Sequence, residues 1–115
     1  MQYMFLIYSA DGAGPQPGSP EFDAFMAGYG AFTNEVKEAG KMKEGAPLQG
    51  IDTATTVRMR DGKPEVTDGP FAETKEVLGG YYILDCENLD EALSLAGKIP
   101  SAAFGSIEVR PVLDM

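Results

Sequence analysis

The chain has 115 residues, 43% apolar and 23% charged, which fits one domain (1–115) around one core and excludes a disordered chain. Eighteen acidic residues against nine basic ones leave a formal net charge of -9. That field repels phosphate backbones and anionic membrane surfaces, so neither nucleic acid nor membrane is an expected partner.

Taken in order, residues 3–8 are apolar or aromatic on both alternating faces, the pattern of a central strand covered on both sides. The run is too short for a bilayer span and has no basic flank, so a cytoplasmic location is expected. Residues 9–20 hold Gly12, Gly14, Gly18, Pro15, Pro17 and Pro20, a long connection read either as a lid or as a variable linker. Ser19-Pro20-Glu21 then starts a helix, with Ser19 as N-cap and proline at the first helical position. Phe22, Phe25, Met26, Tyr29, Phe32, Thr33 and Val36 form its apolar stripe and Gly40 ends it. The stripe reads as core, with a ligand-facing role for Tyr29 or Phe32 as the alternative.

Residues 41–52 read as irregular. Residues 53–60 alternate as a half-buried strand, and Asp61-Gly62 makes a two-residue hairpin turn to a short arm at 63–67, which Pro64 confines to an edge. Residues 77–86 form the next strand, with Gly79-Gly80 marking a bulge or a close backbone approach. Its last residue, Cys86, is the only cysteine and reads as a small buried side chain. Asn88 caps a second helix with Glu91 completing a capping box; Leu89, Ala92, Leu93, Ala96 and Ile99 line its inner face until Pro100. Residues 106–111 close the chain as a strand.

Leaving the 63–67 arm aside, the order strand, helix, strand, strand, helix, strand predicts a ferredoxin-like βαββαβ α+β fold: an antiparallel sheet with two helices on one face. The other face, apolar along residues 3–8 and 81–84, then needs a cover, and a homodimer packing sheet to sheet is the simplest one.

Candidate chemistry concentrates in Asp68-Gly69-Pro70-Phe71-Ala72-Glu73-Thr74-Lys75-Glu76. Asp68 reads as an Asx-type cap of the turn or as a carboxylate at a cleft edge. Glu73, Lys75 and Glu76 read as a solvated charge run or, if 73–76 form a helical turn, as two carboxylates on one side with Lys75 able to pair with either. The catalytic candidates are therefore Asp68, Glu73 and Glu76. The substrate-binding candidates are Lys75, Arg110, whose guanidinium can hold a carboxylate or phosphate bidentately, and the hydroxyls of Tyr8 and Tyr81. Cross-strand pairing for Arg110 and packing for the tyrosines are the structural alternatives. No zinc-type set or calcium-loop spacing occurs, so no metal or cofactor is expected.

The same nine residues resemble the signature of the DGPFAETKE group of the YCII-related family. Ala54-Thr55-Thr56-Val57-Arg58, Gly79-Gly80-Tyr81-Tyr82, Asp90-Glu91-Ala92 and Glu108-Val109-Arg110-Pro111 are also similar to that group. The resemblance implies a dimeric α+β barrel of ferredoxin-like subunits. It implies no settled activity; many members are encoded near extracytoplasmic-function sigma factors, which implies a signalling context. A His/Asp pair proposed for the wider family does not carry over, because this chain has no histidine, which excludes histidine-dependent acid–base chemistry. Two functions follow as expectations. One is a small polar metabolite bound in a cleft near 68–76, with carboxylate-assisted proton transfer. The other is a non-catalytic regulatory or interaction module linked to sigma-factor signalling.

Overall fold

A computed structural model describes all residues, 1–115. Strand β1 (Gln2–Ser9) is followed by helix α1 (Pro20–Glu38), strands β2 (Met42–Pro47), β3 (Thr55–Arg60), β4 (Lys63–Asp68) and β5 (Val77–Asp85), helix α2 (Leu89–Ala96) and strand β6 (Ser106–Pro111). Four strands form an antiparallel sheet in the order β2-β5-β1-β6, while β3 and β4 pair only with each other. With both helices against one sheet face, this is the ferredoxin-like α+β fold, and its βαββαβ core uses β1, α1, β2, β5, α2 and β6.

Two strand assignments made from sequence need correction. Residues 42–47, read as irregular, supply the second core strand, and residues 55–60, read as that strand, belong to a separate two-stranded ribbon. The alternation at 55–60 was a true strand signal but carried no information about its partner. Strand β2 was hidden because it lies on the sheet edge, where Pro47 loses no ladder bond and exposed Lys43 and Glu44 guard the open side.

The core lies between the helices and the inner sheet face. Tyr3, Phe5 and Ile7 of β1 and Tyr82 and Leu84 of β5 alternate inward and meet Phe32 and Val36 of α1 and Ala92, Leu95 and Ala96 of α2. Cys86 is buried as expected, and burial pushes its thiol pKa up, with the Glu91 charge adding to the shift. On α2, Leu95 packs inward, whereas Leu89 and Leu93, expected there, are half exposed. At β5 the expected bulge is present: Ile7 pairs with Gly80 and Tyr8 with Leu78, which leaves Gly79 unpaired. The Asp61-Gly62 turn has φ of 51° and 75°, the paired positive values of a tight hairpin.

Both helix starts form as read. The Ser19 hydroxyl accepts from the Phe22 N–H at 3.1 Å, and Asn88 Oδ1 accepts from the Glu91 N–H at 2.9 Å. The Glu91 carboxylate reaches the Glu87 N–H at 3.1 Å instead of closing a box onto Asn88, and also accepts from Lys41 Nζ at 2.9 Å. That ion pair ties the start of β2 to α2.

Lys41 and the Glu87 N–H hold the Glu91 carboxyl below the usual glutamate pKa. A carboxyl whose pKa is depressed by folding stabilises above its unfolded pKa, about 4.3, and loses that contribution as pH falls through the folded value. Glu91→Gln should therefore flatten the acid limb of the stability curve below about pH 5, the gap from wild type being largest near neutrality. Urea denaturation at a series of pH values measures this.

Candidate functional site

Helix α1 is seated on the sheet by its C-terminal half only. Phe32 and Val36 are buried, and the Phe32 ring meets Tyr82 edge-on at 5.3 Å and 70°. Towards the N-terminus of α1 the sheet offers little to pack against, because the inward positions after Tyr82 and Leu84 are Gly80 on β5 and Gly45 on β2. The result is a cavity of about 760 Å3 between helix and sheet, within the range of about 300–1,000 Å3 usual for small-molecule sites.

Phe22, Phe25, Met26 and Phe104 line one end of the cavity, with Phe25 packed on Tyr29 at 5.2 Å and on Phe104 at 5.7 Å. Ala13 and Pro15 bring the 9–20 connection against it. Gly14 has φ of +82°, and a Cβ there would fall 2.5 Å from the Phe104 ring, so only glycine lets this loop settle on the aromatic wall. The other end is polar, with Thr33, Asn34 and Lys37 on the same stripe of α1.

Two hydroxyl pairs cross the site: Tyr29 Oη to Ser101 Oγ at 2.7 Å and Thr33 Oγ1 to Tyr82 Oη at 2.8 Å. Burial is the main cause of a raised Tyr29 pKa, so its phenol stays protonated and available as a donor. Lys37 is the only charged side chain lining the cavity, and no carboxylate does.

The seven candidates read from sequence lie mostly elsewhere. Asp68 and Glu73 are exposed, the 69–76 segment forms bends rather than a helical turn, and Glu73 and Glu76 are not aligned on one helical face. The Glu76 carboxylate instead accepts from Ser106 Oγ at 2.7 Å. Because Ser106 pairs with Tyr8, Glu76 sits at the edge of the outer sheet face beside Tyr8. Arg110 lies on that face opposite Met4, 3.6 Å from Glu108. Tyr81 bonds Glu44 at 2.8 Å, and that bond is the first cause of its raised pKa. Tyr81 is the only one of the seven whose position in β5 borders the cavity, although by strand alternation its side chain belongs to the outer face; Lys75 is exposed on the loop.

The 68–76 loop is held chiefly from β3. The Gly69 N–H donates to Ala54 O at 2.8 Å, Thr56 Oγ1 to Gly69 O at 2.8 Å and Arg58 Nη2 to Phe71 O at 3.0 Å. Asn34, Lys37 and Ser101 were not singled out from sequence, and Thr33 was read only as part of the apolar stripe of α1. Only their spacing from Tyr29 could have indicated the three α1 residues, and Ser101 has no local signal.

The family model for the YCII-related domain matches residues 1–115. The chain belongs to the YCII-related family. An uncharacterised protein of Rhizobium meliloti (strain 1021) is 40% identical over 114 residues, spanning 97% of this chain and 92% of that protein. Among solved structures, 5-chloro-2-hydroxyhydroquinone dehydrochlorinase (TftG) from Burkholderia phenoliruptrix AC1100, in complex with 2,5-dihydroxybenzoquinone, superposes with a TM-score of 0.56 at 19% identity. The match covers 98% of this chain and 94% of that one, a likeness of fold.

In this YCII-related chain the cavity and the sheet edge share one constraint. A Cβ on Gly80 would fall 3.0 Å from Ala46 O and 3.3 Å from Pro47 Cα, both backbone atoms of β2. Gly80→Ala should cost about 1–3 kcal/mol in urea denaturation, because β2 must be displaced. Gly79→Ala, whose Cβ meets only Ile7 O at 3.9 Å, is the control expected to change little.

Proposed function

We propose that this protein binds a small, largely apolar, ring-sized molecule in the α1–sheet cavity and does so as a homodimer. The observation that carries the ligand reading is the cavity itself: enclosed on one side by aromatic rings, crossed by two hydroxyl pairs, and lined by no carboxylate or histidine. Such a lining favours binding and orientation over acid–base chemistry. It also moves the expected cleft away from the 68–76 loop, none of whose residues lines the cavity.

Gly30 provides the test. It lines the cavity, and a Cβ added there meets nothing within 4 Å. Gly30→Leu should raise stability by about 0.5–1 kcal/mol through helix propensity while filling the site. Titration of 2-naphthol followed by calorimetry should give saturable binding to wild type and a loss of at least about tenfold in Gly30→Leu. Equal affinity in both proteins, or no binding to wild type, counts against the cavity as the site.

The dimer reading rests on surface that one chain leaves uncovered. Met4, Leu6 and Tyr8 of β1 lie beside Ile83, Tyr81 and Leu78 of β5 on the outer sheet face, which no helix covers. Only 14 of 115 residues are buried, and the Cα radius of gyration is 16.0 Å, against about 13 Å for a compact domain of this length. Pairing of two outer faces would enclose Tyr8, Tyr81, Arg110 and the Glu76–Ser106 pair and give these expected polar candidates a shared interior. Wild type should sediment at twice the chain mass and Leu6→Glu as a monomer. A monomeric wild type would remove this reading and leave the cavity reading standing.

A further inference from the structure

We infer that the occupant of the α1–sheet cavity is an amphipathic carboxylate, a small anion with an apolar ring or chain as its body. The inference rests on the ligand-binding reading above and adds charge and orientation to it. Along one stripe of α1 the lining passes from Phe22, Phe25 and Met26 through Tyr29 to Thr33, Asn34 and Lys37, so the site is apolar at one end and cationic at the other. Tyr29 and Lys37 are separated by about 12 Å along a helix rising 1.5 Å per residue, a span that a small amphipathic acid can bridge with head and body in different surroundings.

The hydrogen-bonding inventory points the same way. Within each hydroxyl pair one O–H donates to the other, so one proton per pair remains for a ligand. The Asn34 amide and the Lys37 ammonium add donors, and no anionic acceptor lines the cavity to use them. Lys37, exposed at the rim, has no carboxylate within 4 Å, which is also true of Lys43, Lys63, Lys75, Arg58 and Arg60; what sets it apart is its place in the cavity lining. Its place in the last turn of α1 suits the helix dipole, but the dipole does not account for a cavity free of carboxylates in a chain with twice as many acids as bases. A donor-rich, carboxylate-free pocket in a protein of net charge -9 selects an anion locally against the field of the whole molecule.

Aromatic and aliphatic acids share this chemistry, and matched neutral amides separate charge from body. Calorimetric titrations of 2-naphthoate, 2-naphthamide, decanoate and decanamide would be run on wild type, Lys37→Met and Gly30→Leu. The expected result is an acid binding at least about tenfold tighter than its amide. Lys37→Met should erase that preference by weakening the acids far more than the amides, with at most a small change in melting temperature. The body of the tighter acid, ring or chain, names the source. Amides binding as tightly as acids, or a preference that survives Lys37→Met, would overturn the inference; if Gly30→Leu still blocks the amides, the cavity reading stands without it. Absence of binding by all four would take down both.

Discussion

The geometry of the site follows from the absence of side chains where α1 would otherwise rest on the sheet. Tyr82 and Leu84 fill two inward positions of β5, and the next, Gly80, is empty because β2 passes too close for even a methyl group. Strand β2 must approach that closely to complete the sheet edge, so the pairing that closes the fold also opens the space. With Phe32 and Val36 bearing the contact at one end of α1, the N-terminal half stands off the sheet and turns its aromatic residues on one another. A cavity made by backbone proximity is harder to lose by substitution than one made by small side chains, since refilling it must displace β2.

The chemistry of the cavity departs from the chemistry of the surface. Acidic side chains dominate the exterior, yet the lining contains none, and two of the partnered carboxylates, Glu91 and Glu44, serve architecture. The Lys41–Glu91 pair clamps β2 to α2, and the Tyr81–Glu44 bond spans β5 and β2, so both secure the strand on which the cavity depends. Neither is buried enough for its charge to be costly, which suits a tie between elements better than an acid–base group.

Much of the fold was legible because local chemistry and tertiary structure agree there. Ser19-Pro20, Asn88, Asp61-Gly62 and the Gly79-Gly80 bulge each carry their mechanism in adjacent residues, and each appears where the sequence placed it. What stayed hidden depends on partners distant in the chain. Strand β2 has a charged, proline-ended edge-strand sequence and becomes a strand only by pairing with β5. The cavity joins residues of α1, the 9–20 loop, three strands and Ser101, and no window of sequence contains it. The density of charge at 68–76 drew attention to the loop for a reason the structure does not use at the cavity: those side chains are exposed, apart from Glu76, which is tied to Ser106.

That loop has a different physical task. A two-stranded ribbon is marginal in water by itself, and β3–β4 carries Val57, Met59 and Val66 exposed on one face, with Phe71 exposed beyond it in the loop. The ribbon face is therefore set by cross-strand pairs such as Val57 with Val66, while its root is set by Thr56 and Arg58 gripping the carbonyls of Gly69 and Phe71. The φ of +101° at Gly69 turns the chain out of β4 where an L side chain would be strained, and Pro70 fixes the next φ so that both carbonyls stay within reach of β3. The Asp68 carboxylate forms no hydrogen bond in this turn, so the β3 side chains replace the cap that its position suggested. Gly69-Pro70-Phe71 is thus the root of a projecting arm, and its backbone geometry, more than its charge, is what the ribbon requires.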